Sequence, residues 1–165
     1  MHDPFALTGP ACISFSGGRS SAYMLWKVLE SHGGKLPSDS VAVFANTGKE
    51  DPRTLEFVQN CGNRWGVPVR WLEYSDTGLG FREVDFYTAS RHGEPFDALI
   101  DRKKYLPNAV TRFCTAELKI KPINAWLMHQ GWSDFDMLVG IRADEPARIA
   151  KMPHLHKPLA MTAGL

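Results

Sequence analysis

Residues 14 to 22 read Ser-Phe-Ser-Gly-Gly-Arg-Ser-Ser-Ala. Two adjacent glycines, an arginine and four serines stand where a short apolar run gives way to an amphipathic one. Residues of these types can hold an anion. Gly17 and Gly18 reach backbone angles closed to other residues and let a ligand approach the main chain. At the start of a helix, free N–H groups and the helix dipole converge on one spot that favours negative charge. Hydroxyls of Ser16, Ser20 and Ser21 add donors, and Arg19 adds charge. The chemistry is that of a phosphate or pyrophosphate cradle. Gly-Gly beside serine is also ordinary turn chemistry. The placement between a buried strand and a helix favours the anion reading, although the spacing is neither G-x-x-x-x-G-K-[ST] nor G-x-G-x-x-G.

The elements that must position this turn follow from periodicity. Residues 11–16 form a short apolar run and read as a buried first strand. In the stretch after it, Ala22, Leu25, Trp26 and Leu29 share one helical face, and Gly33 and Gly34 end the helix. Residues 40–46 read as a second buried strand. Asp51 then caps a helix that has Pro52 at its first position and Gly66 at its end. Residues 67–74 read as a third strand. This β-α-β-α-β alternation predicts a parallel sheet with helices on its faces. Residues 81–89 suggest a strand and 94–107 a helix, within a loop or inserted region spanning 75–113. Residues 121–131 read as a helix and 135–142 as a further strand. The expected fold is α/β: one three-layer Rossmann-like domain over residues 1–165, with a mainly parallel twisted sheet of about five strands in flavodoxin-type order. In such a sheet, ligands bind beyond the carboxyl ends of the strands.

Composition narrows the partners. The chain has 165 residues with 19 basic and 18 acidic side chains, a net charge of +1. That balance gives no general attraction to nucleic acid or to an anionic membrane. No apolar run approaches the roughly 20 residues needed to span a bilayer. The three cysteines, Cys12, Cys61 and Cys114, are odd in number and widely spaced, so they form no disulfide framework. A reducing cytoplasm is the expected setting. Cys12 and Cys61 read as core residues, as do most of the tryptophans. Cys114 is flanked by Arg112, which would lower its pKa, though an inert buried thiol is the simpler reading. His154 and His156 lack a third ligand at metal-binding spacing, and residues 101–105 read as a solvated helix face. No metal site is expected.

Four stretches, in order, carry a resemblance. Residues 14–21 resemble the PP-loop, the SGGxDS-type signature of the adenine nucleotide alpha hydrolase-like superfamily. Residues 43–50 (VFANTGKE) resemble the NTG segment of its phosphoadenosine phosphosulfate (PAPS) reductase branch. Residues 111–127 resemble that branch's R-x-x-C-x-x-x-x-K-x-x-P segment, and 139–148 its G-x-R-x-x-E-x-x-R loop. The resemblance implies an adenine nucleotide, ATP or the sulfonucleotides PAPS and APS. Its phosphates would lie on Ser16, Gly17, Gly18, Arg19, Ser20 and Ser21, and its adenosine near Asn46, Thr47 and Gly48. Arg112, Lys119, Arg142 and Arg148 would be the catalytic cations. From residue chemistry alone, Glu145 either orients Arg142 or Arg148 by a bidentate pair or makes a surface pair of no consequence.

Two departures shape the expected activity. Ser20 stands where the superfamily places an aspartate that helps manage metal or pyrophosphate. Glu50, Asp51 or Asp144 could supply a carboxylate in its place, which keeps magnesium compatible with the site. No cysteine follows Cys114, whereas sulfonucleotide reductases attack sulfur with a cysteine on a C-terminal tail. A single thiol at the matching stretch cannot hold an iron–sulfur cluster. The expected function is therefore PAPS reductase-like nucleotide chemistry, either adenylylation with pyrophosphate release or action on a sulfonucleotide. The alternatives are a sulfonucleotide reductase lacking its tail cysteine, and a non-catalytic nucleotide-binding module. The module would act as a homo-oligomer or beside a partner subunit. The final residues resemble the middle of longer family members, so the chain is expected to be a truncated or phage-like short form.

Overall fold

The computed structural model describes residues 2–108, 115–142, 144 and 145, and the backbone of 160 and 161. Strand β1 (Ala11–Ser14) leads into helix α1 (Arg19–Ser31), followed by β2 (Ser40–Asn46), α2 (Pro52–Trp65), β3 (Arg70–Tyr74) and β4 (Phe81–Val84). Then come α3 (Glu94–Lys103), a π-helical turn (Ala116–Ile120), α4 (Lys121–His129), β5 (Asp136–Val139), β6 (Ile141–Arg142) and β7 (Ala160–Met161). The fold is mixed α/β. Five strands form one sheet in the order β4-β3-β2-β1-β5, and β6 and β7 form a second pair. β1 runs parallel to β2 and to β5, while β3 and β4 are antiparallel.

Strand order corrects one expectation. A flavodoxin-type sheet would place β1 between β2 and β3. Here β1 lies between β2 and β5, and β3 adjoins β2. The chain therefore builds outward from β1 in one direction and returns to its other side with β5. That reversal is a topological switch point, and it falls at the carboxyl end of β1.

Contacts divide the chain into two compact units. The first is drawn from Met1–Val43, Phe57–Val69 and Asp134–Leu165. Cys12, Ile13, Phe15, Met24, Leu25, Val28, Val58 and Ile141 are buried in it. Local chemistry sets its helix ends. His32 donates its N–H to Leu29 O at 3.0 Å, and Gly34, with φ of 88°, donates to the same carbonyl at 2.7 Å. This left-handed exit is open to glycine at little cost. One face differs from expectation: Trp26 is 42% exposed. Met24, Leu25 and Val28 fill the apolar stripe instead, and Trp26 stands outside it against Tyr23, with the Lys27 ammonium 5.3 Å from its ring centre.

The second unit is drawn from Phe44–Glu56 and Arg70–Ser133. Phe44, Trp71, Leu72, Leu99, Leu118, Trp126 and Leu127 are buried in it. Asp51 caps α2 as expected, its Oδ1 accepting the Arg53 N–H at 2.9 Å. The π turn has a cause in sequence. Pro122 has no N–H to give Leu118, and its ring crowds that carbonyl. The preceding turn widens, and the Lys121 N–H reaches back to Ala116 O. The strand suggested over 81–89 ends at Val84, and Asp85 then starts a turn in which its carboxylate accepts the N–H groups of Tyr87 and Thr88. Among the described residues, no helix is long and apolar enough to cross a membrane.

Phe44 is fully buried with its ring edge-on to Trp71 at 4.9 Å. Phe44→Ala is expected to lower unfolding stability by about 3–5 kcal/mol, and Trp26→Ala by about 1 kcal/mol or less. Urea unfolding of the two variants checks this. Equal losses would place Trp26 in the core.

Candidate functional site

The turn after β1 is held from within. Ser21 is buried, and its hydroxyl donates to Gly18 O at 3.0 Å. That uses its one proton, so the 3.0 Å contact between the Ser16 and Ser21 hydroxyls is a bond donated by Ser16. Ser21 Oγ also accepts the Ser16 N–H at 3.1 Å. Ser21 is thus a brace of the turn rather than an outward-facing donor. Gly17 makes the bend with a φ of 80°. Gly18 sits at the N-cap of α1, where no side chain caps the helix and no acid occupies the first turn.

What remains open is the backbone. Among the described residues, nothing accepts a hydrogen bond from the N–H groups of Gly17, Gly18, Arg19, Ser20 or Ser21. Helix starts leave such donors by geometry, to be met by a capping side chain, by water or by a ligand. Arg19 is exposed, and neither it nor the Ser20 hydroxyl has a described side-chain partner.

Gly140 supports the turn from the end of β5. A Cβ there would lie 2.9 Å from both N and Cα of Ser21. Only a glycine lets the chain leaving β5 press so closely on the first turn of α1. This contact was not singled out from sequence, although Gly140 lies inside the quoted 139–148 stretch. Arg142 follows on β6, exposed, with its guanidinium paired to the Asp144 carboxylate through Nε at 2.9 Å and through Nη2. That pairing holds Asp144 below the usual carboxylate range. The Arg142 N–H donates to Glu145 Oε2 at 3.2 Å. Glu145 therefore does touch Arg142, through its backbone.

The second unit carries Asn46, Thr47, Gly48 and Lys119. Asn46 is fully buried. Its Nδ2 donates to Glu73 Oε2 and to Ser90 O, both at 2.8 Å, and its Oδ1 accepts the Gly48 N–H at 3.2 Å. Every polar atom of that side chain is spent on the scaffold. Gly48, with φ of 80°, passes so close to Gly93 that a Cβ would sit 2.9 Å from the Gly93 Cα. Thr47 donates its hydroxyl to Glu50 Oε1 at 3.1 Å, and the Lys119 ammonium lies 3.7 Å from that same oxygen. Asn46, Thr47, Gly48 and Lys119 therefore gather around one loop.

Beneath that loop lies a charge that sequence reading passed over. Glu73, in β3, has no exposure to solvent. Its Oε1 accepts from Arg82 Nη2 at 2.6 Å and from the Ser90 hydroxyl at 3.1 Å. Its Oε2 accepts from Asn46 and from the Ser90 N–H at 2.9 Å. A glutamate inside the apolar run Arg-Trp-Leu-Glu-Tyr was the available signal, because a charge there must be paired to be buried. Glu117, nearly buried in the π turn, is held low in pKa by the Lys121 ammonium at 2.6 Å and further by Lys103.

Each of the three candidate replacement carboxylates is engaged. Glu50 takes Thr47 and Lys119, Asp51 takes Arg53, and Asp144 takes Arg142. Among the described residues, no group of three or more His, Cys, Asp or Glu could hold a metal ion. Burial pushes the Cys12 thiol up to about 12, and Cys61 is also raised. Both are inert core thiols. Arg112, Cys114, Arg148, His154 and His156 lie outside the described residues.

No family model matches the chain. It is similar to an uncharacterized nin region protein, ORF290, of Escherichia phage lambda, with 34% identity over 151 residues, covering 86% of this chain and 51% of the relative. It is also similar to an uncharacterized protein of Methanocaldococcus jannaschii, with 26% identity over 149 residues, covering 90% of this chain and 26% of the relative. The chain thus spans about half the length of the first and about a quarter of the second.

Glu73→Gln would turn one acceptor oxygen into a donor facing donors. The expected loss is about 2–4 kcal/mol of unfolding stability, read by urea unfolding. A loss within about 0.5 kcal/mol, the range of ordinary surface changes, would show that the network does not hold the unit together.

Proposed function

We propose that the Ser16–Ser21 turn binds the phosphates of an adenine nucleotide, in a Rossmann-like PP-loop protein of PAPS reductase-like type working in the cytoplasm. The observation that carries this reading is the set of five N–H groups after β1 that no described residue accepts from, with no capping side chain and no acid in the first turn. Its position at the switch point agrees with where α/β sheets take ligands. Gly140 and Ser21 hold the donors in place before any ligand arrives.

The chemistry favoured is adenylylation. An acceptor oxygen attacks the α-phosphorus of ATP, the bond to the bridging oxygen breaks, and pyrophosphate leaves with the electron pair. Fixed N–H donors stabilise the charge that builds on the departing group without having to reorganise. Action on the sulfur group of PAPS or APS is the second chemistry the same cradle would serve. A non-catalytic nucleotide-binding module, alone as a homo-oligomer or beside a partner subunit, is favoured by one observation: Asp144 pairs with the Arg142 guanidinium through two of its nitrogens. Magnesium would enter with the nucleotide, since Asp144 is already paired to Arg142.

Calorimetry with ATP, PAPS and AMP ranks the ligands, and pyrophosphate release separates enzyme from module. Gly18→Asp supplies the control. Gly18 has φ of −91°, and a Cβ there meets only Ser16 Oγ, at 3.7 Å. Aspartate at an N-cap is as good as or better than glycine. The variant is therefore expected to melt at or above the wild-type temperature while losing ATP binding by about 100-fold or more, because its own carboxylate occupies the cradle. Unchanged affinity in a folded variant would refute the site.

A further inference from the structure

The segment before β1, residues 2–10, is tied to the end of α1 at two points, all within the first unit. One tie is the Asp3 carboxylate, which accepts the Ser31 hydroxyl at 2.6 Å and the Phe5 N–H at 2.9 Å. The other is His32, the residue that ends α1. Its Nε2 accepts the Leu7 N–H at 3.2 Å, and its Nδ1 lies 2.8 Å from Val28 O. A carbonyl oxygen can only accept, so Nδ1 carries the proton and Nε2 the lone pair. The two partners together select the neutral ring and one of its two tautomers. The backbone gives a reason for the second bond. The His32 N–H goes to Leu29 O, and the ring serves Val28 O in its place. Leu7 and His32 are both half-buried.

Imidazole is the side chain that changes charge between about pH 5 and 8. A protonated ring carries N–H on both nitrogens, and Nε2–H would then face the Leu7 N–H. We propose that His32 is a pH-sensitive latch, which holds the segment before β1 on α1 while its ring is neutral and releases it at Leu7 on protonation. Two N–H groups cannot share a hydrogen bond, so the proton enters only as the Leu7 contact opens. The charged groups where the two segments meet are His2 and Asp3 on one side and Lys27 and Glu30 on the other, with Lys35 beyond the glycine exit. Lys27 and Glu30 pair with each other. Among the described residues, no carboxylate lies within ion-pair distance of the His32 ring, so none is in place to match its charge. The dipole at the end of α1 favours a cation there, and Nδ1–H keeps its bond to Val28 O in either state, so the cost of protonation falls on Leu7. The Ser31 hydroxyl, and then the Phe5 N–H, hold Asp3 below the usual carboxylate range, so the first tie stays ionised over the same interval. Release is therefore local. Asp3 remains anchored, and β1 keeps the bond from the Ala11 N–H to Asp39 O at 3.2 Å.

The test is amide–water exchange by NMR at about pH 7.5 and about pH 5, each rate taken relative to the intrinsic rate at that pH, with the ring nitrogen shifts of His32 followed alongside. The neutral ring is expected to carry its proton on Nδ1. In the wild type, protection of the Leu7 amide is expected to fall at least about fivefold at the lower pH, while that of Phe5 changes by less than about twofold. His32→Phe keeps a ring and removes both the acceptor and the charge. Its Leu7 amide is expected to be poorly protected at both pH values, the two differing by less than about twofold. A neutral ring with its proton on Nε2, a ring still neutral at the lower pH, or Leu7 protection that is unchanged when the ring is charged each overturns the proposal in the wild type alone. Equal loss at Phe5 overturns it too, since the segment would then be coming away as a whole. The same pH dependence in His32→Phe also overturns it, because His2 or Asp3 would then be the group responsible.

Discussion

A carboxylate without access to water organises the unit that carries Asn46, Thr47 and Lys119. Taking Glu73 out of solvent costs several kcal/mol unless its lone pairs are met, and four donors from three other segments meet them. Because each donor is needed, each segment is fixed. Asn46 ties down the end of β2, Arg82 reaches across from β4, and Ser90 brings in the loop that precedes α3. The amide of Asn46 then has only one orientation, and its Oδ1 sets the Gly48 N–H. The close passage of Gly48 by Gly93 follows from that chain of constraints.

The turn after β1 follows the opposite rule. Its internal polar groups are also matched, through the Ser21 hydroxyl, but its backbone donors have no partner among the described residues. A serine or aspartate at the N-cap of α1 would satisfy some of them. Glycine at that position gives up the cap and keeps the approach open. The proposed anion site rests on that openness together with the brace from Ser21 and the close approach of Gly140.

β2 was legible because a buried parallel strand is a nearly continuous apolar run, and it matches its expected span, Ser40–Asn46, whereas the single strand expected over 135–142 breaks at Gly140 into β5 and β6 of separate sheets. Helix starts at Arg19 and Pro52 were legible through glycine, aspartate and proline chemistry. Strand order was not, since nothing local distinguishes β1 beside β3 from β1 beside β5. Trp26 misled because periodicity fixes a face only to within a residue, and Met24 and Val28 complete the buried stripe without it. The π turn was hidden because it depends on a proline one residue inside the next helix. Asn46 looked like a ligand-facing residue because its motif marks the loop. Its side chain serves the loop from below, and a single sequence does not separate those roles.

Charge placement gives the site its character. Arg142 and Lys119 are the described cations that the resemblance marks as catalytic, and each is matched by a carboxylate of its own unit. The attraction left over for an anion at the first turn of α1 therefore comes mainly from backbone dipoles, with Arg19 the exposed side-chain charge beside them. Dipoles of this kind fall off within a turn of the helix, so they favour a ligand whose charge is concentrated at the glycines over one attracted from a distance. Ser20 fits that arrangement. An acid there would add negative charge to the first turn of α1, whereas the Ser20 hydroxyl adds none and would offer the proposed nucleotide a donor.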